Sequence, residues 1–148
     1  MENLFERIVD LLGKTPDHAD SRQFVKELGE APPFERLYFF KRSGFSLFPE
    51  KHVFTDVFFH LNGTIDEPSY SGNLPGDITA GDDIDAVHKK LAPYLRKSHL
   101  RIDSRTGREE SHREEYDLPE CFLQVHFDAN HKLSRVSATK VARLSNET

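Results

Sequence analysis

The chain has no tryptophan, one cysteine and one methionine in 148 residues, and each scarcity closes off a class of explanation. A lone thiol, Cys121, cannot form an internal disulfide framework, and one cysteine cannot build a cysteine-based zinc site. Apolar runs are short, and none nears the ~18 residues needed to cross a bilayer as a helix. The opening residues Met1-Glu2-Asn3-Leu4-Phe5-Glu6-Arg7 lack the basic segment and apolar stretch of a secretory signal, so a cytoplasmic location is expected. An excess of positive charge is missing too. The net charge is −5 and the pI about 5.9, which argues against a nucleic-acid binder and leaves room for a basic protein partner.

Against these absences stand twelve phenylalanines, enough aromatic area to fill a core in a chain that is otherwise 30% charged. Leu4, Phe5, Ile8, Val9, Leu11 and Leu12 recur with a helical period, and Gly13 follows as the stop. A second helix is expected from about Asp20, as its N-cap, through Phe24, Val25 and Leu28 to Gly29. Ala31-Pro32-Pro33 is a breaker, after which the period turns from helical to alternating. Leu37-Tyr38-Phe39-Phe40-Lys41 and Phe45-Ser46-Leu47-Phe48 read as strands around the turn Arg42-Ser43-Gly44. A third strand runs from Val53 to Leu61. There Val53, Thr55, Val57, Phe59 and Leu61 share an expected core face, and Phe54, Asp56, Phe58 and His60 share the other.

Beyond a linker over residues 64–73 the pattern begins again. Gly13, Asp20, Lys26 and Leu28 are answered by Gly76, Asp83, Lys89 and Leu91 at a constant spacing of 63 (76 − 13, 83 − 20, 89 − 26, 91 − 28). A helix is expected from Asp82 or Asp83 through Ile84, Val87 and Leu91, and a strand at Leu100-Arg101-Ile102. Residues 104–115 are so charged that they read as a loop. Cys121, Leu123, Val125 and Phe127 alternate with Phe122, Gln124, His126 and Asp128 as a half-buried strand. A last strand runs from Lys132 to about Val141, ahead of a frayed tail from Ser145. The order is ααβββ, linker, then αβββ or αββββ. The expected fold class is α+β: two tandem helix–β-sheet repeats, about 4–63 and 74–141, forming an antiparallel sheet with helices packed on one face. A single domain spans residues 1–148.

The acidic group Asp77, Asp82, Asp83 and Asp85 offers the oxygen ligands of a hard cation. Its spacing is not that of an EF-hand, and Asp82 and Asp83 sit where a helix start needs a cap and negative charge, so no metal is expected. Histidines such as His60, His126 and His131 fall on strands and turns without a metal-binding spacing. Cys121 shares a face with Leu123 and Val125 and reads as a buried small hydrophobe. There is no P-loop, dinucleotide-binding glycine fingerprint or serine elbow, and neither a catalytic residue nor a cofactor is expected. Two surface features remain. Glu109, Glu110, Glu114, Glu115, Tyr116 and Asp117 form either a solvated connection or an acidic contact surface. Tyr38, Phe40, Phe48, Phe54, Phe58 and Phe122 fall opposite the expected core faces, and if uncovered they make an interface patch.

The Leu12-Gly13 turn and helix, the aromatic strands, and Tyr70-Ser71-Gly72-Asn73-Leu74-Pro75-Gly76 opening a second unit resemble bacterial immunity proteins, small cytosolic proteins that neutralise a cognate toxin. The tandem layout is also similar to that of the β-lactamase inhibitory protein. The resemblance spans roughly residues 4–141. It implies a non-enzymatic protein that occludes the active site of a toxin. The net charge makes that toxin basic, and the contact residues expected from the sequence itself are Glu109, Glu110, Glu114, Glu115, Tyr116 and Asp117 together with Tyr38, Phe40, Phe54, Phe58 and Phe122. Neither nucleic acid nor membrane is expected as a partner, and a homodimer stays open. The alternative is a small-ligand- or metal-binding protein, or an enzyme, with a site between the repeats.

Overall fold

The computed structural model describes residues 3–30, 38–61 and 69–140. Two helices, α1 (Leu4–Asp10) and α2 (Ala19–Leu28), precede strands β1 (Tyr38–Phe40), β2 (Phe45–Glu50) and β3 (Val53–His60). A single 3-10 turn, Pro75–Asp77, and helix α3 (Ile84–Lys90) then lead into β4 (Leu95–Ile102), β5 (Glu109–Asp117), β6 (Phe122–Phe127) and β7 (Leu133–Thr139). The strands form one antiparallel sheet in the order β1-β2-β3-β7-β6-β5-β4. The class is α+β, and the strand count of the second half is the larger of the two expected. Ala31-Pro32-Pro33, Leu37, residues 62–68 with the first part of the linker, Val141 and the tail lie outside the described residues.

Local chemistry sets the helix ends. Asp83 caps α3, its carboxylate accepting the Ala86 N–H at 2.8 Å. The cap of α2 is His18 rather than the expected Asp20: the His18 ring Nδ1 accepts the Asp20 N–H at 3.0 Å, while the Asp20 carboxylate takes Lys14 Nζ at 2.7 Å. Gly13, with φ +91°, lies beyond the α1 cap residue Leu11. Its N–H donates to the Phe54 carbonyl at 2.7 Å and Phe54 N–H to the Lys14 carbonyl at 2.9 Å, which stitches the end of α1 to β3.

All three helices lie against one face of the sheet. Phe5 of α1 meets Phe59 at 5.4 Å between ring centroids, Phe24 of α2 sits edge-on to Phe40 and Phe45, and His88 of α3 reaches Glu114 of β5. Two cross-strand rows supply that inner face. One reads Tyr116, Leu123, Ala138, Val57, Leu47, Tyr38, and the other Glu114, Val125, Val136, Phe59, Phe45, Phe40. Phe40 and Phe45 stack at 4.6 Å. Burial of such rings against the helices is the main source of stability, at roughly 1.5–3 kcal/mol for each large apolar side chain.

This register corrects several sequence expectations. Tyr38 and Phe40 face the core, because β1 pairs with β2 so that Phe40 lies opposite Phe45 and Tyr38 opposite Leu47. Phe54 is also core, at 3% exposure. The pairing steps from Phe48↔Asp56 to Pro49↔Phe54, so Thr55 is an extra residue on β3 that reverses the facing of everything before it. Phe48 and Phe58 do face away from the helices. So does Phe122, which is buried but stands outside the main core cluster. The expected loop at 104–115 is largely β5, preceded by a tight turn in which Gly107 N–H donates to the Asp103 carbonyl. The linker's end is part of the core as well. Tyr70 is buried, packs 4.7 Å from Phe59 and donates its N–H to the His60 carbonyl at 2.7 Å.

Candidate binding face

Alternation along β5 sends neighbouring residues of the expected acidic surface to opposite sides. Glu114 and Tyr116 point to the helices and are 1% exposed. The Glu114 carboxylate accepts hydrogen bonds from His88 Nε2 (2.8 Å to each oxygen), Ser98 Oγ (2.8 Å) and Tyr116 OH (3.0 Å), with His112 Nε2 at 3.3 Å. Burial raises its pKa, but these hydrogen bonds and the His88 charge outweigh burial and hold it below the usual glutamate range. Glu114 is therefore a satisfied structural hub that ties α3 and β4 to β5, not a contact for a partner. The Ser98 hydroxyl donates to the same carboxylate that His88 binds, so it is part of the network that joins β4 and α3 to β5.

Glu115 and Asp117 face the other way. Glu115 is already engaged: His99 Nε2 lies 3.1 Å and Gln124 Nε2 3.3 Å from its carboxylate, with Arg113 Nη2 at 3.7 Å. Glu109 and Glu110 lie in β5 by backbone; their side chains are outside the described residues. Of the four residues whose side chains are described, Glu114 and Tyr116 thus turn inward and Glu115 and Asp117 outward, with Glu115 paired.

What the register assembles on this outer face is of the opposite sign. His99, Arg113, His126, Arg135 and His60 are direct cross-strand partners in turn, one from each of β4, β5, β6, β7 and β3. With strands about 4.8 Å apart the row is roughly 19 Å long. Arg135 Nη2 points at His126 Nε2 at 3.5 Å, and its guanidinium lies 6.0 Å from the Phe58 ring centroid. Arg113 Nε is buried with no hydrogen-bond partner. Burial, then the charges of Arg135 and Arg113, push the pKa of His126 down to about 4, so at neutral pH its imidazole is uncharged between two guanidinium groups. His60 shares a 2.9 Å hydrogen bond with Ser46 Oγ and packs edge-on to Phe39.

The rows below complete a graded surface. Lys97, Glu115, Gln124, Ser137, Phe58, Ser46 and Phe39 cross all seven strands. Beyond them Asp117, Phe122, Thr139, Asp56 and Phe48 form a more acidic and apolar margin, with Phe48 38% exposed. This face can pair carboxylates along its basic row and bury apolar side chains against Phe58 and Phe48.

The other candidates have structural explanations. Asp82 accepts from Thr79 N–H, Thr79 Oγ1 and Lys90 Nζ, and Asp83 is the cap already described. Among the described residues no three His, Cys, Asp or Glu side chains converge on a cation site. Cys121 is buried, and burial pushes its thiol up to about 12, far from nucleophilic range. A cleft of about 200 Å³ lined by Arg7, Leu11, Lys14, Asp20 and Phe24 falls below the roughly 300–1,000 Å³ of ordinary small-molecule sites.

Comparison with family models matched none, and no curated protein matched the sequence. Among solved structures the chain is similar to an extracellular protein containing an SCP domain from Bacillus anthracis str. Ames, with a TM-score of 0.53 at 12% identity. The match covers 95% of this chain and 47% of that one, so the chain spans about half the length of its structural neighbour. At this identity the likeness concerns the fold. It overturns the expected resemblance to immunity proteins and the β-lactamase inhibitory protein. The cytosolic toxin-neutralising function and the cytoplasmic location fall with it, because the fold found is that of a protein described as extracellular. The alternative of a ligand or catalytic site between the repeats gains no support from this neighbour either.

Proposed function

We propose that the chain is a non-catalytic binding module that holds an acidic protein partner on the outer face of its sheet. The observation that carries this reading is the cross-strand row His99–Arg113–His126–Arg135–His60 on a chain of net charge −5. Two guanidinium groups held on alternate strands are suited to carboxylates roughly 10 Å apart. Phe58 and Phe48 beside them favour a protein over a polyphosphate, whose dense charge would also meet the negative field of the rest of the molecule. Of the residues expected from sequence, Phe48, Phe58, Phe122, Glu115 and Asp117 belong to this face. In the same reading the architecture is two helix-plus-sheet units, about 4–63 and 74–141, that share one sheet where their last strands β3 and β7 pair.

The test uses a labelled deca-glutamate peptide and a deca-lysine control, with fluorescence anisotropy at about 0.15 M salt. The glutamate peptide is expected to bind saturably and to lose at least tenfold in affinity in the double variant Arg113→Glu/Arg135→Glu. Equal binding by that variant, its fold confirmed by circular dichroism, or preference for deca-lysine, overturns the proposal.

A further inference from the structure

The two edges of the sheet are unlike. β1 is three residues long, whereas β4 is eight residues with no proline, and among the described residues nothing pairs with its outer side. A long regular edge presents alternate backbone N–H and C=O groups ready to pair, which proteins usually blunt with short strands, proline or charge. β4 has charge, and all of one sign: Leu95–Ile102 contains Arg96, Lys97, His99 and Arg101 and no acidic residue. Its one partner, β5, contains Glu109, Glu110, Glu114, Glu115 and Asp117. The strand thus already accepts an acidic neighbour on its paired side.

The side chains at this edge are sorted by face. Lys97, His99 and Arg101 lie on the outer side, and Lys97 and Arg101 are exposed. Leu100 and Ile102 lie on the helix side, each 53% exposed, and with Phe48 they are the exposed large hydrophobics among the described residues. A shallow groove lined by Ser98, His99, Leu100, Arg101 and Arg113 follows the strand. A second copy of β4 is a poor occupant. An antiparallel self-pair centred on His99 sets Lys97 opposite Arg101 twice, and like charges directly opposite destabilise a ladder.

We propose that β4 is a strand-addition edge that accepts an extended segment of a partner protein alternating acidic with apolar residues. The acidic positions lie opposite Lys97 and Arg101, and the apolar ones cover Leu100 and Ile102. Main-chain hydrogen bonds supply affinity and the alternation supplies specificity. This proposal stands apart from the outer-face reading, because it depends on backbone pairing at β4 and not on Arg135.

The probe is a fluorescein-labelled octapeptide of alternating glutamate and valine, with an otherwise identical peptide N-methylated at alternate residues. The first is expected to bind saturably, with at least a tenfold loss on N-methylation and in the variant Lys97→Glu/Arg101→Glu, and less than a twofold change in Arg135→Glu. Absence of binding at 1 mM peptide (on the order of the weakest specific affinities) overturns the proposal. So does equal binding of the N-methylated peptide to the unaltered protein, a readout that needs no variant to fold. Loss in Arg135→Glu with none in Lys97→Glu/Arg101→Glu would assign the peptide to the outer face and refute the edge. The edge result with no deca-glutamate binding would leave β4 standing and remove the face.

Discussion

Replacing Glu114 by alanine is expected to cost about 3–5 kcal/mol of folding stability. The carboxylate takes hydrogen bonds from His88, Ser98 and Tyr116, and His112 stands 3.3 Å away. Ser98 is exposed and the His88 side chain 31% exposed, so water replaces part of what those two lose. The Tyr116 hydroxyl belongs to a residue 1% exposed and His112 has a 14% exposed side chain. They stay largely dry once this acceptor is gone, and they dominate the cost. Glutamine keeps the volume and one acceptor but turns an N–H₂ toward donors, so Glu114→Gln should lose about 1–3 kcal/mol. The adjacent Glu115, on the outer face with a 15% exposed side chain and two hydrogen-bond partners, is the comparison, and Glu115→Ala should lose about 1–2 kcal/mol, less than Glu114→Ala. Urea unfolding followed by far-ultraviolet circular dichroism measures all three, since the chain has no tryptophan to report. A loss below about 1 kcal/mol in Glu114→Ala, or a larger loss in Glu115→Ala, would refute the hub. The pH dependence has a definite sign. Because the folded pKa of Glu114 is depressed, its contribution is present above the unfolded value and is lost as the pH falls through the lower folded value.

His126 should act in the window from pH 6.5 down to about 4, its ordinary and folded values. The unfolded chain takes up that proton first, so stability falls as the pH drops through this range. The fall is about 1–2 kcal/mol once solvent access to the ring is allowed for, and His126→Asn should flatten the profile when urea midpoints are compared at pH 7 and pH 4.5. Gly44 has φ +79°, and a Cβ there would stand 2.3 Å from Tyr70 N. Gly44→Ala should therefore cost at least about 2 kcal/mol, read as a drop in Tm. Asp83→Ala removes the α3 cap and should cost about 1 kcal/mol by the same thermal measurement. Asp20→Ala should cost distinctly less, because His18 caps α2.

The legibility of the fold divides along local and non-local causes. α2, β6 and the Asp83 cap were readable because their signals lie within a few residues: the Phe24–Leu28 spacing, the strict alternation Leu123-Val125-Phe127, and a carboxylate three residues before the N–H it accepts. β5 was unreadable because its inward positions are His112, Glu114 and Tyr116. A polar residue becomes an interior one when partners such as His88 and Ser98 arrive from other elements, and spacing along one strand does not contain them. Phe54 was misplaced by a single extra residue, Thr55. The bulge's local marker, Pro49, stands on the partner strand rather than beside Thr55, yet the bulge inverts the facing of every residue on that side. The same limit hid the basic row, whose five members come from five strands and meet through register alone.

The basic row escapes a reading of the sequence for a related reason, and its sign has a measurable consequence. Net charge adds residues regardless of face, whereas a bound partner feels those within about a Debye length, ~8 Å at 0.15 M salt and ~30 Å at 0.01 M. Helix acids such as Asp10, Asp20 and Glu27 lie in the layer behind the sheet, about 10 Å or more from the outer row by ordinary layer spacing. At physiological salt that row is sensed with little opposition from them; at very low salt the whole charge of −5 repels the same acidic ligand. Affinity for deca-glutamate should then pass through a maximum near about 0.1 M salt, falling above it as the row is screened and below it as the distant acids come into range. Anisotropy titrations from 10 mM to 1 M (roughly 30 Å to 3 Å of screening) would show the turning point. Affinity that keeps strengthening down to the lowest salt would mean that the acids behind the sheet do not oppose the row, and the argument from faces would fail.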